Sequence, residues 1–327
     1  MVEYDLLVKN GTVVTAADTF HADVAIRDGR IIALLDDADV GLADSVIDAT
    51  DRLVLPGGIE GHCHIDEPSF GGAKLADDFE SGSRAAVCGG TTTIIPFAQQ
   101  IEGMSLRQAV DDYHTKAAGK SVADYGFHLI LSDPNEQVLG QELPALIADG
   151  YTSFKVYMTY DGLRLEDMQI LDVLATAKAH QGFVMIHCEN DHCIRWLAEQ
   201  LERKDDIGPE RFGVAHGPAA EREATHRAIT LSEVVDTPVF IVHVSSHQAM
   251  EQIAWARSRG MPIHAETCPQ YLFLSTDDFS QPGWEGAKYI CSPPPRDPDN
   301  PDHLWRGIQN GIFQLISSDH CPYRMEG

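Results

Sequence analysis

The sequence predicts an α/β protein: a (β/α)8 TIM-type barrel preceded by a small N-terminal antiparallel β unit, part of a β-sandwich domain. Short β-rich runs separated by Asn-Gly and Asp-Gly fill the first 55 residues. From residue 56 onward, eight short apolar runs alternate with amphipathic helical patterns, which is typical of parallel βα units closing into a barrel. We therefore expect the β-sandwich segment at 1–55 and the barrel domain at 56–327.

The N-terminal unit is predicted from its turn signals. Asn10-Gly11 and Asp28-Gly29 separate β-rich runs, and both residues of such a pair tolerate the positive φ of a tight hairpin turn. Strands are expected at 4–8, 12–15, 22–27, 30–35 and 44–48. The segment is too short to close a sandwich alone, so its strands should pair with strands from elsewhere.

The barrel elements follow from the change of pattern after residue 55. Buried strands are expected at 58–65, 91–97, 126–132, 152–158, 183–188, 238–244, 262–266 and 313–318. Helices are expected at 77–88, 105–116, 141–148, 165–181, 221–234 and 247–259. Residues 269–305 carry the run Ser292-Pro293-Pro294-Pro295, and a proline run fits neither a helix nor a central strand. This region should be an irregular loop over the mouth of the barrel.

Composition restricts the class of ligand. Fifty acidic residues against 24 basic ones give a formal charge of −26, so nucleic acid and anionic membranes would be repelled and small neutral ligands fit better. The acidity is otherwise typical of a surface tuned for solubility. No apolar run approaches the roughly 20 residues of a membrane span, and the first residues lack a basic segment followed by an apolar one. These features predict a cytoplasmic protein.

The seven cysteines are an odd number and include no C-x-x-C pair, which argues against a disulfide framework. Cys63, Cys188 and Cys321 lie within two positions of candidate site residues, so sulfur ligation of zinc has to be considered. The more common role of a free cysteine is small buried packing, and this is what we expect.

Candidate metal ligands fall at or near the ends of the predicted strands. They are His62, His64, Lys155, His187, His243 and Asp319. Residues two apart on a strand face the same side, so the two histidines of the His-x-His pair can grip one ion. A single histidine at a strand end is more often a satisfied core or surface residue. Six candidates at the carboxyl ends of barrel strands, where active sites of such barrels form, predict a metal site.

Lys155 fits such a site only as a modified residue. An ammonium group repels cations, and a lysine on a barrel wall commonly extends to solvent or pairs with a carboxylate. Burial beside metals favours the neutral amine, which can add CO2 to give a carbamate. The two carbamate oxygens can bridge two ions.

Three motifs resemble those of the dihydropyrimidinase/hydantoinase group of the cyclic amidohydrolases, and the likeness extends over residues 4–323. They are PGGIEGHCHID at 56–66, SFKVYMTY at 153–160 and SDHCPY at 318–323. Supporting stretches are VHVSS at 242–246, ETCPQYL at 266–272 and CSPP at 291–294. The resemblance implies a hydrolase that opens the rings of cyclic imides and ureides, such as 5,6-dihydropyrimidines and hydantoins, at the cyclic amide bond. It also implies a homo-oligomer, a tetramer or a dimer.

The resemblance further implies a role for each position. His62, His64, carbamylated Lys155 and Asp319 would surround the more buried ion, zinc by expectation. The same carbamate with His187 and His243 would hold the more exposed ion. A hydroxide bridging the two ions would be the nucleophile, and Asp319 would take its proton and deliver it to the departing ring nitrogen.

Three further positions acquire roles toward the substrate from the same resemblance. Tyr160 would donate to the oxyanion, and Ser292 would contact the imide through its main chain. Phe70 would be a bulky gate for the substrate's side group. Satisfied buried aromatics and local loop packing are the ordinary alternatives for Tyr160 and Phe70.

Other readings remain open within the superfamily. Asp66 stands where dihydroorotases carry an arginine for the substrate carboxylate, and it would repel that group. An allantoinase-type ureide hydrolase and a non-catalytic scaffold homologue are the alternatives. Glu60 replaces the usual aspartate before the histidine pair, an exchange that would alter the geometry behind the metal ligands.

Family members continue beyond the position of Gly327. The resemblance therefore implies a C-terminal segment absent from this sequence. That segment would carry an asparagine for the substrate's ring amide and the strands that complete the N-terminal β unit. Without those strands, the N-terminal unit would present exposed edges.

Overall fold

The computed structural model describes residues 3–68 and 73–325. The chain forms two compact units, Met1–Gly58 and Ile59–Gly327. A TIM-type barrel with a small N-terminal β unit is confirmed.

The N-terminal unit consists of two small sheets. Its strands are β1 (Tyr4–Lys9), β2 (Thr12–Val14), β3 (Thr19–His21), β4 (Asp23–Arg27), β5 (Arg30–Leu35), β6 (Ala43–Asp48) and β7 (Leu53–Val54), with a 3-10 turn at Val40–Leu42. One sheet has the order β5-β4-β1-β6 and the other β3-β2-β7. The β1–β4, β4–β5 and β2–β3 pairs are antiparallel, whereas β1–β6 and β2–β7 are parallel. The sequence does not predict β3 or β7.

Only one of the two expected hairpin turns is a hairpin. Asp28 and Gly29, both at positive φ, join the antiparallel strands β4 and β5. The prediction for Asn10-Gly11 is wrong, because β1 and β2 belong to different sheets. The Asn10 backbone N–H donates to Asp23 at 2.8 Å, and its side chain donates to Asp48. These long-range bonds hold Asn10 at the point where the chain crosses from one sheet to the other.

The barrel is a parallel sheet in which the strands follow chain order. Its strands are β8 (Gly58–Cys63), β9 (Thr91–Gln99), β10 (Asp124–Tyr125), β11 (His128–Ile130), β12 (Ser153–Tyr157), β13 (Phe183–His187), β14 (Val239–Ile241), β15 (Ile263–Thr267) and β16 (Leu315–Ile316). Since β10 and β11 both pair with β9, they share one strand position, and the described residues give eight positions as predicted. A parallel bridge between Cys63 and His320 joins the first position to the chain after β16.

Ten α-helices are found among the described residues. They are α1 (Phe79–Cys88), α2 (Leu106–Ala117), α3 (Leu143–Ala148), α4 (Asp167–His180), α5 (Asp191–Glu202), α6 (Pro209–Ala215), α7 (Pro218–Val235), α8 (His247–Arg257), α9 (Pro269–Phe273) and α10 (Asn300–Gln309). A π-helical turn spans Val138–Glu142, and 3-10 turns span Thr276–Ser280 and Glu285–Tyr289. The six predicted helices correspond to α1, α2, α3, α4, α7 and α8. Side chains of Asp78, Ser105 and Ser246 cap the first, second and eighth helices.

The sequence does not predict α5, α6, α9 and α10. The expectation that 269–305 is irregular throughout is therefore wrong, because α9 and the start of α10 lie within it. Both helices carry proline in the first turn, where the missing N–H is not needed for the helix. The prolines at 293–295 are outside any helix or strand, as predicted.

The cysteines are all free, but they are not uniformly packing residues. Cys63, Cys188 and Cys268 are buried, whereas Cys88 and Cys193 are exposed on helices α1 and α5. The expectation of burial is wrong for those two, because they fall on the solvent faces of their helices. Among the described residues, no helix combines the length and apolar character required to cross a membrane.

Candidate metal centre

The predicted ligands come together at the carboxyl end of the barrel. Donor atoms of His62, His243 and Asp319 all lie within 4.8 Å of one another. Asp319 Oδ1 is 3.1 Å from His62 Nε2 and 3.3 Å from His64 Nε2. The Lys155 amine is 3.3 Å from the same nitrogen of His62. Imidazoles and a carboxylate converging in this way form a donor set suited to a divalent cation.

His187 and His243 form the second part of the cluster. Their ring centroids are 4.5 Å apart. Both residues line a cavity of about 280 Å³ together with His64, Lys155 and Asp319. Nδ1 of His243 is buried without a hydrogen-bond partner in the described part of the chain. A buried polar atom without a partner is costly, and a bound cation would supply one. The residues present therefore fit a metal.

Lys155 is buried in the barrel interior at 1% exposure. Burial lowers its pKa to about 8, although Asp319 and Glu266 oppose the shift. The rings of Phe97 and Tyr157 lie 4.9 and 5.1 Å from the amine nitrogen. The neutral amine, which is the form that adds CO2, is thus accessible near neutral pH.

A carboxylate stands behind three of the four histidines. Glu266 binds Nδ1 of His62, Glu67 binds Nδ1 of His64 at 2.6 Å, and Glu189 binds Nε2 of His187 at 2.8 Å. Such partners fix the tautomer and orientation of a ligating imidazole. The sequence prediction missed these glutamates. The available signal for Glu67 and Glu189 was a carboxylate two or three residues after a candidate ligand.

The Glu67–His64 pair predicts a pH-dependent stability for the metal-free protein. Burial opposes protonation, but Glu67 and Asp319 raise the pKa of His64 from 6.5 to about 9. A folded-state pKa above the unfolded value stabilises the fold fully below about pH 6.5, and the stabilisation is lost as pH rises through about 9. Glu67→Gln should reduce the unfolding free energy by on the order of 2 kcal/mol near pH 6 and hardly at all near pH 10.

Urea unfolding after chelation checks this prediction. Glu80→Gln is the matched control, because Glu80 makes an exposed pair with Arg84. An equal loss at both pH values in Glu67→Gln would contradict the role given to His64.

Glu60 connects the first and last strands of the barrel. Its carboxylate accepts from the backbone N–H of His62 at 2.9 Å and from that of Ser318 at 3.0 Å. These residues precede or carry two of the predicted ligands. The longer side chain at this position therefore fixes the backbone that supports His62 and Asp319.

Three residues around the cavity have a left-handed backbone. The φ angles are +38° at His243, +50° at Asp319 and +79° at Tyr160. For residues with a side chain this conformation is unfavourable by about 1–3 kcal/mol, and it persists where surrounding contacts determine it. Strain of this kind concentrates at functional sites, and three of the eleven described non-glycine residues with positive φ line this cavity.

Tyr160 and Ser292 lie together on the cavity wall. The Ser292 hydroxyl donates to Glu189 at 2.8 Å, and Tyr160 shares a hydrogen bond with Ser292. Burial and the nearby Glu189 raise the pKa of Tyr160 well above its usual value, so the phenol keeps its proton. Tyr160 can therefore act as a hydrogen-bond donor in the cavity.

The rest of the cavity wall is largely apolar or aromatic, and the sequence does not predict it. It includes Gln99, Tyr157, Leu163, Ile290, Cys291, Cys321 and Tyr323. Phe70, the predicted gate, lies outside the described residues. Such a wall suits a small, neutral, partly apolar ligand.

The loop that carries Ser292 is anchored by a buried arginine. Arg296 pairs with Glu221 at 2.8 Å and also donates to the hydroxyl of Ser245 and the carbonyl of His216. Both charged partners are at most 4% exposed. This ion pair holds the proline-containing loop to the helices and strands beneath it.

Comparison with known proteins identifies the family. No family model matches the chain. D-hydantoinase of Streptomyces coelicolor is 45% identical over 326 residues, covering 98% of this chain and 69% of that protein. D-hydantoinase of Geobacillus stearothermophilus is 44% identical over 323 residues, covering 98% of this chain and 68% of that protein. The crystal structure of dihydropyrimidinase from Brevibacillus agri superimposes with a TM-score of 0.95 at 43% identity, covering 98% and 69%.

The chain belongs to the hydantoinase/dihydropyrimidinase group of the cyclic amidohydrolases. The motif resemblance is thereby confirmed. As a member of this group, the chain is a metal-binding hydrolase that acts on cyclic amides. A further relative is D-phenylhydantoinase of Escherichia coli, which is 36% identical over 322 residues. The match covers 98% of this chain and 69% of that protein.

Proposed function

We propose that this hydantoinase-family chain opens the rings of hydantoins and 5,6-dihydropyrimidines by hydrolysis, using two divalent cations, zinc by preference, and a carbamate on Lys155. The observation that carries the proposal is the convergence of His62 and His64 on one oxygen of Asp319, with the Lys155 amine at the same place.

The six side chains divide into two sets. His62, His64, Asp319 and the Lys155 carbamate would hold the more buried cation, while the carbamate with His187 and His243 would hold the more exposed one. The unpartnered Nδ1 of His243 supports a cation beside that residue, and the lowered pKa of Lys155 supports the neutral amine that adds CO2. Bound cations lower the pKa of coordinated water toward about 7 and polarise a carbonyl.

Asp319 acts first as the general base and then as the general acid. Burial opposes its ionisation, but His62, His64 and His243 hold the pKa of Asp319 well below its usual value. The carboxylate is therefore ionised and can accept a proton from the attacking water. It then returns that proton to the ring nitrogen as the amide C–N bond breaks.

Tyr160 and Ser292 orient the substrate. The protonated phenol of Tyr160 donates to the oxygen of the attacked carbonyl, where negative charge develops. The main chain of Ser292 contacts the imide, and Glu189 fixes the Ser292 hydroxyl and His187 together. The apolar wall accepts the substrate's side group.

Location and assembly complete the proposal. The seven cysteines are free thiols, which suits a reducing cytoplasm. Large apolar side chains are exposed on the barrel helices and loops, including Trp196, Ile207, Phe273 and Trp284. Large exposed apolar side chains of this kind are common at subunit interfaces, and a homo-oligomer, a dimer or tetramer, would cover them.

Substrate assays and metal analysis test the function together. Hydantoin and 5,6-dihydrouracil should be hydrolysed before allantoin, and purified protein should hold about two divalent ions per chain. A preference for allantoin would move the assignment to the neighbouring ureide hydrolases. Well under one ion per chain after growth with added zinc, without turnover, would favour the non-catalytic scaffold.

A further inference from the structure

The backbone of Tyr160 has to be held in an unfavourable conformation. Its φ of +79° is rare for a bulky residue, and such a conformation persists only where surrounding contacts determine it. The local turn supplies part of the restraint, because the Tyr160 carbonyl accepts from the N–H groups of Leu163 at 3.2 Å and Arg164 at 2.9 Å.

Several further restraints on this loop converge on Asp191. The Thr159 hydroxyl donates to Asp191 Oδ1 at 3.1 Å, and the Arg164 guanidinium pairs with the other oxygen. Arg195 donates to Asp191 at 2.7 Å and also pairs with Asp161. Thr159 and Arg164 are thus bound to the Asp191 carboxylate directly, and Asp161 is bound to it through Arg195.

Asp191 is well placed to anchor the loop. It is the first residue of α5, which begins four residues after His187 at the end of β13. It is 5% exposed, and burial opposes its ionisation, but Arg195, Thr159 and Arg164 hold the pKa of Asp191 below its usual value. The loop after β12 is therefore bound to α5, the helix that follows the neighbouring strand β13.

We propose that Asp191 is a positioning residue, which fixes the Tyr160 loop so that the phenol meets the developing oxyanion. The inference rests on the role of Tyr160 in the proposed function. Asp191 is absent from the cavity wall, so it acts through Tyr160 rather than on the substrate.

The test begins with Asp191→Asn, which keeps the size and an oxygen for Thr159 but removes the charge that the two arginines share. For hydantoin, kcat should fall roughly 10- to 100-fold, since a displacement of about 1 Å at a catalytic group has an effect of that size. KM should change by less than about threefold and metal content should stay at the wild-type value, because no metal ligand moves.

Two further variants provide a control and a second test. Glu199→Gln lies on the same helix and breaks an exposed pair with Arg203, so it should leave kcat unchanged. Arg195→Gln removes the link to Asp161 from a half-exposed side chain and should lower kcat by a smaller factor. It keeps the inference testable if Asp191→Asn does not fold.

A double-mutant cycle with Tyr160→Phe decides whether Asp191 acts through Tyr160. In the Tyr160→Phe background, Asp191→Asn should alter kcat by less than about twofold. If the kcat losses of the two single variants multiply in the double variant, the inference is overturned. It is also overturned if kcat is at the wild-type value in Asp191→Asn but low in Tyr160→Phe. Either result leaves the proposed function intact. A wild-type kcat in Tyr160→Phe would overturn the role of Tyr160 and this inference with it.

Discussion

Lys155→Ala should abolish tight metal binding and reduce hydantoin turnover by roughly a thousandfold or more, because the group proposed to bridge both cations is removed. The side chain is buried and its amine lies 3.3 Å from His62 Nε2, and no other lysine among the described residues lines the cavity. Metal content after dialysis, measured by elemental mass spectrometry, is the primary readout. Turnover on hydantoin is the second.

Short carboxylic acids such as acetate or propionate should restore part of both signals, since they can occupy the space of the missing carbamate. Lys178→Ala is the matched control, because Lys178 is half-exposed and pairs with Asp236 on the surface. Wild-type metal content in Lys155→Ala would remove this residue from the bridge.

Asp319→Asn should lower kcat by about 10²- to 10⁴-fold, the usual contribution of general acid–base catalysis. The variant removes the acceptor for the proton while preserving shape. It should also fold, because asparagine tolerates the left-handed φ of +50° found at this position. Loss of a charged ligand should weaken the more buried metal site as well.

Measurement of kcat in protein reloaded with saturating zinc separates the two effects of Asp319→Asn. Restored metal content with persistently low kcat is the expected result. Asp236→Asn is the control, since Asp236 has a similar φ of +55° but lies exposed on the surface. A kcat within about tenfold of wild type would show that another group carries the proton.

The periodic parts of the fold were predictable because they depend on local pattern. Apolar runs gave all eight strand positions of the barrel, and the spacing of apolar residues gave six of its helices. Helices α5 and α6 were missed in the stretch between β13 and α7. The turn at Asn10 was misassigned because local turn chemistry does not specify which strands pair across the sheet.

The candidate site shows the same division. His62, His64, Lys155, His187, His243 and Asp319 could be selected from the sequence because strand ends of a parallel barrel meet at one face. Glu266, the carboxylate that binds His62, could not be selected in this way. Glu266 lies 204 residues from His62, and Ser292 lies 103 residues from Glu189, so only folding brings these partners together.

By itself, the sequence determined the barrel, the candidate site residues and the family, since these are carried by periodicity and short motifs. Tertiary structure alone decided which carboxylates orient three of the four imidazoles, how Glu60 joins the first strand to the chain after the last, and how Asp191 restrains Tyr160. The physical reason is that hydrogen bonds and burial act between atoms close in space. The chain order records side-chain identity but not those distances.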